Sequence, residues 1–304
     1  MLTRYDIVQN RIVKSEQQQS SILVFINPDE NEKKYLVEEL RIDEHTLASA
    51  LDPDELSRLE FEPEHLALIF KRPRNYSGKD QLLFKVLSCG AFLFKERLII
   101  VMSDEVSLFD GKMFNQVQTL SEVMLKVIFR SISHFVEHLK IFNMITDDLE
   151  SKINTAMENK YLLNLFTLEK SLVYYLNSIN SNGALIEKLK YNSAKIGFTA
   201  EHVELLDDLI IENSQCYRQA EIHSNILASL MDARASIVGN NLNVLMKTLN
   251  IIMLGIMVPT LIVSIFSMNV PIPGQEHPLS FWMILVLAIT SVCVLILFWK
   301  RKKW

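Results

Sequence analysis

The chain has few cysteines, three in 304 residues, and Cys89, Cys216 and Cys293 show no spacing of a redox or zinc motif. They read as packing residues of a reduced compartment, which excludes a disulfide framework. The N-terminal MLTRYDIVQNRIVKSEQQQ lacks the apolar core of a signal peptide, so nothing in it directs the following domain across a membrane. Enzymatic signatures are missing too: no glycine-rich phosphate loop follows a strand, and none of the seven histidines has an evident catalytic companion. Charge is absent from Thr248 to Gln275 and again from Phe281 to Trp299. Each of these runs supplies the roughly 20 apolar residues that span a bilayer.

What is present is unevenly placed. Hydrophobic residues make up 49% of the chain, and the surplus lies at the C-terminus. Lys247 precedes the first apolar run and Lys300-Arg301-Lys302-Lys303 follows the second, while the connecting NVPIPGQEHPLS holds no Lys or Arg. The positive-inside rule therefore predicts a multi-pass protein of a cell or bacterial inner membrane, with both termini cytoplasmic and the loop outside. Setting aside those five basic residues and Glu276 of the loop leaves 26 basic against 35 acidic residues, a charge of −9 on the cytoplasmic part. That sign argues against nucleic acid as a partner and is compatible with cations, as it is with an ordinarily acidic soluble domain.

Residues 1–112 carry short β-rich runs, ILVFI (22–26), HLALIF (65–70), LLFKVL (82–87) and RLIIVM (97–102), around a helix capped by Asp43 and broken at Pro53. They predict a small α/β domain. Residues 113–198 read as a helical hairpin, because apolar residues recur at three and four from about Thr119 to Lys190, as in Leu120, Val123, Val127, Ile128 and Ile132. From Thr199 the same period runs without a strong breaker into the first apolar run. Residues 199–268 are thus expected to form one stalk helix, on the order of 100 Å long at 1.5 Å per residue, with its membrane span at about 248–268. Its neighbours are expected to be the hairpin and copies of itself, because so long a helix is not stable alone. An extracytoplasmic loop (269–280), a second span (281–299) and a basic tail (300–304) complete the chain.

Within the first span, steps of three and four from Asn243 reach Met246, Asn250, Met253, Met257, Thr260, Ser264 and Ser267, with Leu249 beside them. The other positions are largely Leu, Ile, Val and Phe. Such a face packs against the second span or another helix, or several copies of it surround a water-filled path. The order along the stripe favours the path. Methionines and Leu249 make a narrow apolar constriction that gates by dewetting, and the hydroxyls make the outer half hydrophilic.

A long helix entering the membrane, then Ser267-Met268-Asn269 in SMNVPIPG, a second span and a basic WKRKKW end together resemble the CorA family of magnesium channels, over essentially the whole chain. The family carries Gly-Met-Asn at this point, so two of three positions match. The resemblance implies a funnel-shaped homopentamer, with an α+β cytoplasmic domain, a helical stalk and two C-terminal transmembrane helices in each subunit. It would move divalent cations passively, Mg²⁺ first and Co²⁺ or Zn²⁺ as further candidates. Helix dipoles and a ring of Asn269 carbonyls at the outer mouth would suit hydrated Mg²⁺, and Val270, Pro271 and Pro273 would stop the helix. Ser267 is the departure: a Cβ in the left-handed conformation that glycine allows costs on the order of 1 kcal/mol. It leaves two alternatives open, a zinc transporter of the ZntB type and a non-conducting, membrane-anchored sensor or scaffold.

The resemblance also implies cytoplasmic Mg²⁺ binding by stalk and N-domain acids, which places Asp208, Asp232 and Glu64 as candidate regulatory ligands. Glu64 is followed by His65 where the family's pattern has an acid. Asp232 lies three helical turns before Asn243 on roughly the same face, so a ring of it would concentrate cations at the inner mouth. Asp207, Asp208 and Glu212 also read as a wet helix face. His134 and His138, one turn apart, have the spacing of a zinc-ligand pair but are expected on a hydrated helix surface.

Overall fold

The computed structural model describes residues 1–17, 19–76, 82–155, 159–270 and 277–301. The chain divides into two compact units, Met1–Met231 and Asp232–Trp304.

The first unit is built on a seven-stranded sheet of order β2-β1-β3-β7-β6-β5-β4. The strands are β1 (Leu2–Val8), β2 (Arg11–Ser15), β3 (Ile22–Ile26), β4 (Arg58–Phe61), β5 (His65–Pro73), β6 (Val86–Phe94) and β7 (Leu98–Met102). All neighbours pair antiparallel except β3 and β7, which run parallel. Gln9 and Asn10, with φ of 49° and 60°, form the two-residue turn that joins β1 to β2. Positive φ at both central residues matches the twist of the flanking strands.

The central strands are buried on both faces, which explains their unbroken apolar runs. Successive residues alternate between two cores: Ile22, Val24, Ile100 and Met102 enter one, Leu23, Phe25, Ile99 and Val101 the other. The smaller core is closed by α2 (Glu44–Leu51) and by the segment that holds α1 (Glu30–Lys34). As expected, α2 starts at an Asp43 cap, whose carboxylate accepts from the Thr46 N–H, and ends before Pro53. The larger core is closed by α3 (Leu120–Thr155), α4 (Asn159–Tyr191) and the first part of α6 (Ala200–Phe266), with the short α5 (Ser193–Ile196) between the last two.

Two sequence expectations need correction. The run LLFKVL is not a strand over its length: Leu82 takes φ of 66° and pairing starts only at Val86. His138 is not on a hydrated surface, and His134 is half-buried beside it. His138 is 4% exposed, its Nδ1 lies 2.7 Å from the Tyr175 hydroxyl, and its ring meets His134 edge-on at 4.4 Å. Burial pushes both imidazoles down to about 4, so both are neutral at pH 7.

The second unit contains the rest of α6 and α7 (Ser280–Arg301). Both helices are long and apolar enough to cross a membrane.

Candidate functional site

In the second unit one face of α6 is partly covered, and it is not the polar one. Ile251, Gly255, Val258, Pro259, Ile262 and Phe266 are half-buried, and on α7 the corresponding positions are Ile284, Ala288, Ser291, Val292, Leu295 and Trp299. At 100° per residue, Gly255 and Pro259 lie about 160° from Met257, nearly across the helix. Asn243, Met246, Leu249, Asn250, Met253, Met257, Thr260, Ser264 and Ser267 are all exposed. The stripe is therefore turned away from the covered face, and the reading in which it packs on the second span of its own chain is not what this arrangement shows.

Two hydroxyls of this stripe donate to the helix backbone. Thr260 Oγ1 donates to the Ile256 carbonyl at 2.6 Å and Ser267 Oγ donates to the Ser264 carbonyl at 2.9 Å. With its proton committed to the helix, each hydroxyl oxygen keeps only acceptor lone pairs for solvent or an ion.

The helix ends at Phe266, so Ser267, Met268 and Asn269 form the turn beyond it. The Ser267 N–H bonds to the Ser264 carbonyl at 3.2 Å and the Met268 N–H to Ile265 at 3.5 Å, a tightening to three-residue spacing common at helix ends. Helix ending thus precedes Val270, and Pro271 and Pro273 lie outside the described residues. The expected backbone cost of Ser267 is also corrected. Among the described residues the non-glycine positions with positive φ are Gln9, Asn10, Asn27, Arg41 and Leu82, so Ser267 avoids the left-handed region where a Cβ is costly.

The three acids differ in their surroundings. Glu64 is half-exposed and its Oε1 pairs with Arg41 Nη1 at 2.9 Å. Asp208 is exposed, while the adjacent Asp207 is the one that pairs, with Lys190. Asp232 is exposed, with no ion pair to Arg234 or to any other described residue. Among the described residues no three His, Cys, Asp or Glu side chains of one chain gather into a group able to hold a metal ion.

Residues 17–302 match the family model of the CorA-like Mg²⁺ transporter protein. The chain belongs to the CorA family. It is similar to the cobalt/magnesium transport protein CorA of Methanocaldococcus jannaschii, with 24% identity over 298 residues, 91% of this chain and 89% of that one. Its fold matches the complete structure of the CorA magnesium transporter from the same organism with a TM-score of 0.84 at 19% identity, covering 99% and 98% of the two chains. The cytoplasmic domain of ZntB from Vibrio parahaemolyticus is a more distant likeness, with a TM-score of 0.59 at 12% identity over 78% of this chain and 98% of that one. CorA-family proteins are membrane-embedded divalent-cation transporters and not enzymes, and the two apolar C-terminal helices fit a two-span member.

Proposed function

We propose that the protein moves Mg²⁺ passively across a cell or inner membrane, through a homopentameric pore lined by the polar face of α6. The observation that supports this reading is the position of that face, opposite the side of α6 that is half-buried. A face whose amides and hydroxyls are turned to lipid would be costly, whereas several copies around an axis give it water. In this arrangement Met246, Leu249, Met253 and Met257 form the constriction. Thr260 and Ser264 supply oxygens above it, and Ser267, Met268 and Asn269 form the mouth.

Hydrated Mg²⁺ keeps most of its waters, so neutral oxygen acceptors at the mouth suit it better than a tight carboxylate cage. The positive-inside rule places both termini in the cytoplasm, with Lys247, Lys300 and Arg301 on that side. Asp232 then stands at the inner mouth and draws cations to it, while Asp208 and Glu64 contribute to feedback only through contacts between subunits.

The test is aqueous access. In a Cys293→Ala background, with Cys89 and Cys216 buried, cysteines at Thr260 and Ser264 are expected to react with a membrane-impermeant thiol reagent, and a cysteine at Ile262 is not. Equal, slow labelling at all three positions would remove the pore from the reading and leave a membrane-anchored sensor.

A further inference from the structure

The first unit holds a cavity of about 600 Å³ where the end of β5, the start of β6 and the middle of α4 meet. Conduction through α6 makes no use of it. Its charge runs against that of the chain, which carries −5 overall. Four basic side chains line it, Lys71, Arg74, Lys85 and Lys170, against two acids, Asp54 and Asp104. Arg74 Nε and Asp104 Oδ2 neutralise each other at 2.9 Å. Lys85 and Lys170 are exposed and have no ion pair among the described residues.

Lys71 is the informative member. It is 3% exposed, and its ammonium donates only to neutral oxygens, the Pro53 carbonyl at 2.8 Å and Ser88 Oγ at 2.9 Å. A buried cation without a direct ion pair is costly to hold. Burial lowers its proton affinity, with Asp52, Asp54 and Glu55 only partly opposing the effect. A second anomaly lies in the same wall, where Ser103 Oγ is buried with no hydrogen-bond partner. Buried hydroxyls are normally satisfied. At the rim Tyr174 leaves 49% of its surface exposed, an aromatic face beside Lys170 and Asn177.

We propose that this cavity binds a nucleoside diphosphate or triphosphate. The phosphates sit against Lys85 and Lys170 with Lys71 behind them, and the base covers Tyr174. The volume lies within the roughly 300–1,000 Å³ of small-molecule sites. Asp54, which has no ion pair among the described residues, limits the site to ligands whose phosphates outweigh its repulsion, which favours two phosphates over one. The inference is independent of conduction, because every residue it uses lies in the first unit.

The experiment uses the purified full-length chain in detergent and a fluorescent N-methylanthraniloyl-ADP, read by anisotropy and displaced by ADP, pyrophosphate or adenosine. Saturable binding is expected, displaced by ADP, more weakly by pyrophosphate, and not by adenosine. Lys85→Glu with Lys170→Glu is expected to weaken binding at least tenfold while the thermal unfolding midpoint of the free protein stays unchanged, since both side chains are exposed. Tyr174→Ala is expected to weaken ADP and leave pyrophosphate unaffected. Absence of saturable binding, equal binding by the double variant, or equal displacement by adenosine and ADP would each overturn the proposal.

Discussion

The side-chain amide of Asn182 on α4 hydrogen-bonds both main-chain groups of Lys71 on β5: its Oδ1 accepts from the Lys71 N–H and its Nδ2 donates to the Lys71 carbonyl, each at 2.8 Å. Register pairs β4 with β5 only as far as Ile69, so this amide takes over where β4 has ended. Ser57 Oγ donates to the same Oδ1 at 2.8 Å, and Ser131 Oγ on α3 donates to the Lys71 carbonyl at 2.7 Å. One residue of the sheet therefore fastens both helices of the hairpin. Asn182→Ala strands the Lys71 N–H in a buried site and is expected to cost about 1–3 kcal/mol. Chemical unfolding of the full chain, followed at a probe in the first unit, measures it.

Gly90 on β6 lies directly against Ala50 of α2. A Cβ added there would stand 2.6 Å from Ala50 Cβ and 3.0 Å from the Phe92 ring. Backbone shift or ring displacement must follow, and Gly90→Ala is expected to destabilise by about 1–3 kcal/mol. A midpoint unchanged in thermal unfolding would show that the layer spacing is looser than this.

Four histidines, His65, His134, His138 and His223, have lowered proton affinity because burial disfavours their charged forms. The unfolded chain then binds more protons than the folded one between about pH 6.5 and the folded values, near 4 for His134 and His138. Stability is full above pH 6.5 and falls as pH drops through that window. Replacing His134 and His138 together by Gln is expected to flatten the dependence, read as the denaturant midpoint from pH 7 to pH 4.5.

At the inner end of the path, Asp232→Asn removes the acid that is read as concentrating cations. Cation entry from that side is expected to fall by about tenfold at low ionic strength, with the difference shrinking as salt screens the charge. At the constriction, Met253→Ser and Met257→Ser are expected to raise resting flux by wetting it. Both are read as tracer flux in proteoliposomes.

Much of this arrangement is legible in the sequence because two periodicities carry it. The stalk helix shows as a three-and-four repeat with no strong breaker until Pro259, and the central strands show as apolar runs bounded by polar segments. The β1–β2 hairpin escaped because Gln9-Asn10 is an unusual turn pair, although alternation in LTRYDIV and RIVKS was the available signal. Asn182, Ser57 and Ser131 are invisible for a different reason: nothing local marks a polar residue whose partner is 60 to 125 residues away. His138 misled in the same way, since its burial depends on Tyr175 of the neighbouring helix. At the candidate path, composition located the stripe, but only the packed second unit shows that the half-buried face of α6 is the opposite one.

The central claim is tested most directly by Mg²⁺ influx into liposomes that carry the purified protein, beside Zn²⁺, Co²⁺ and a Ser267→Gly variant. Since Ser267 avoids the left-handed backbone that only glycine enters freely, the account predicts saturable Mg²⁺ flux in the unaltered protein and little change in the variant. Flux of no ion until glycine is restored would contradict it and mean that Ser267 has closed the mouth.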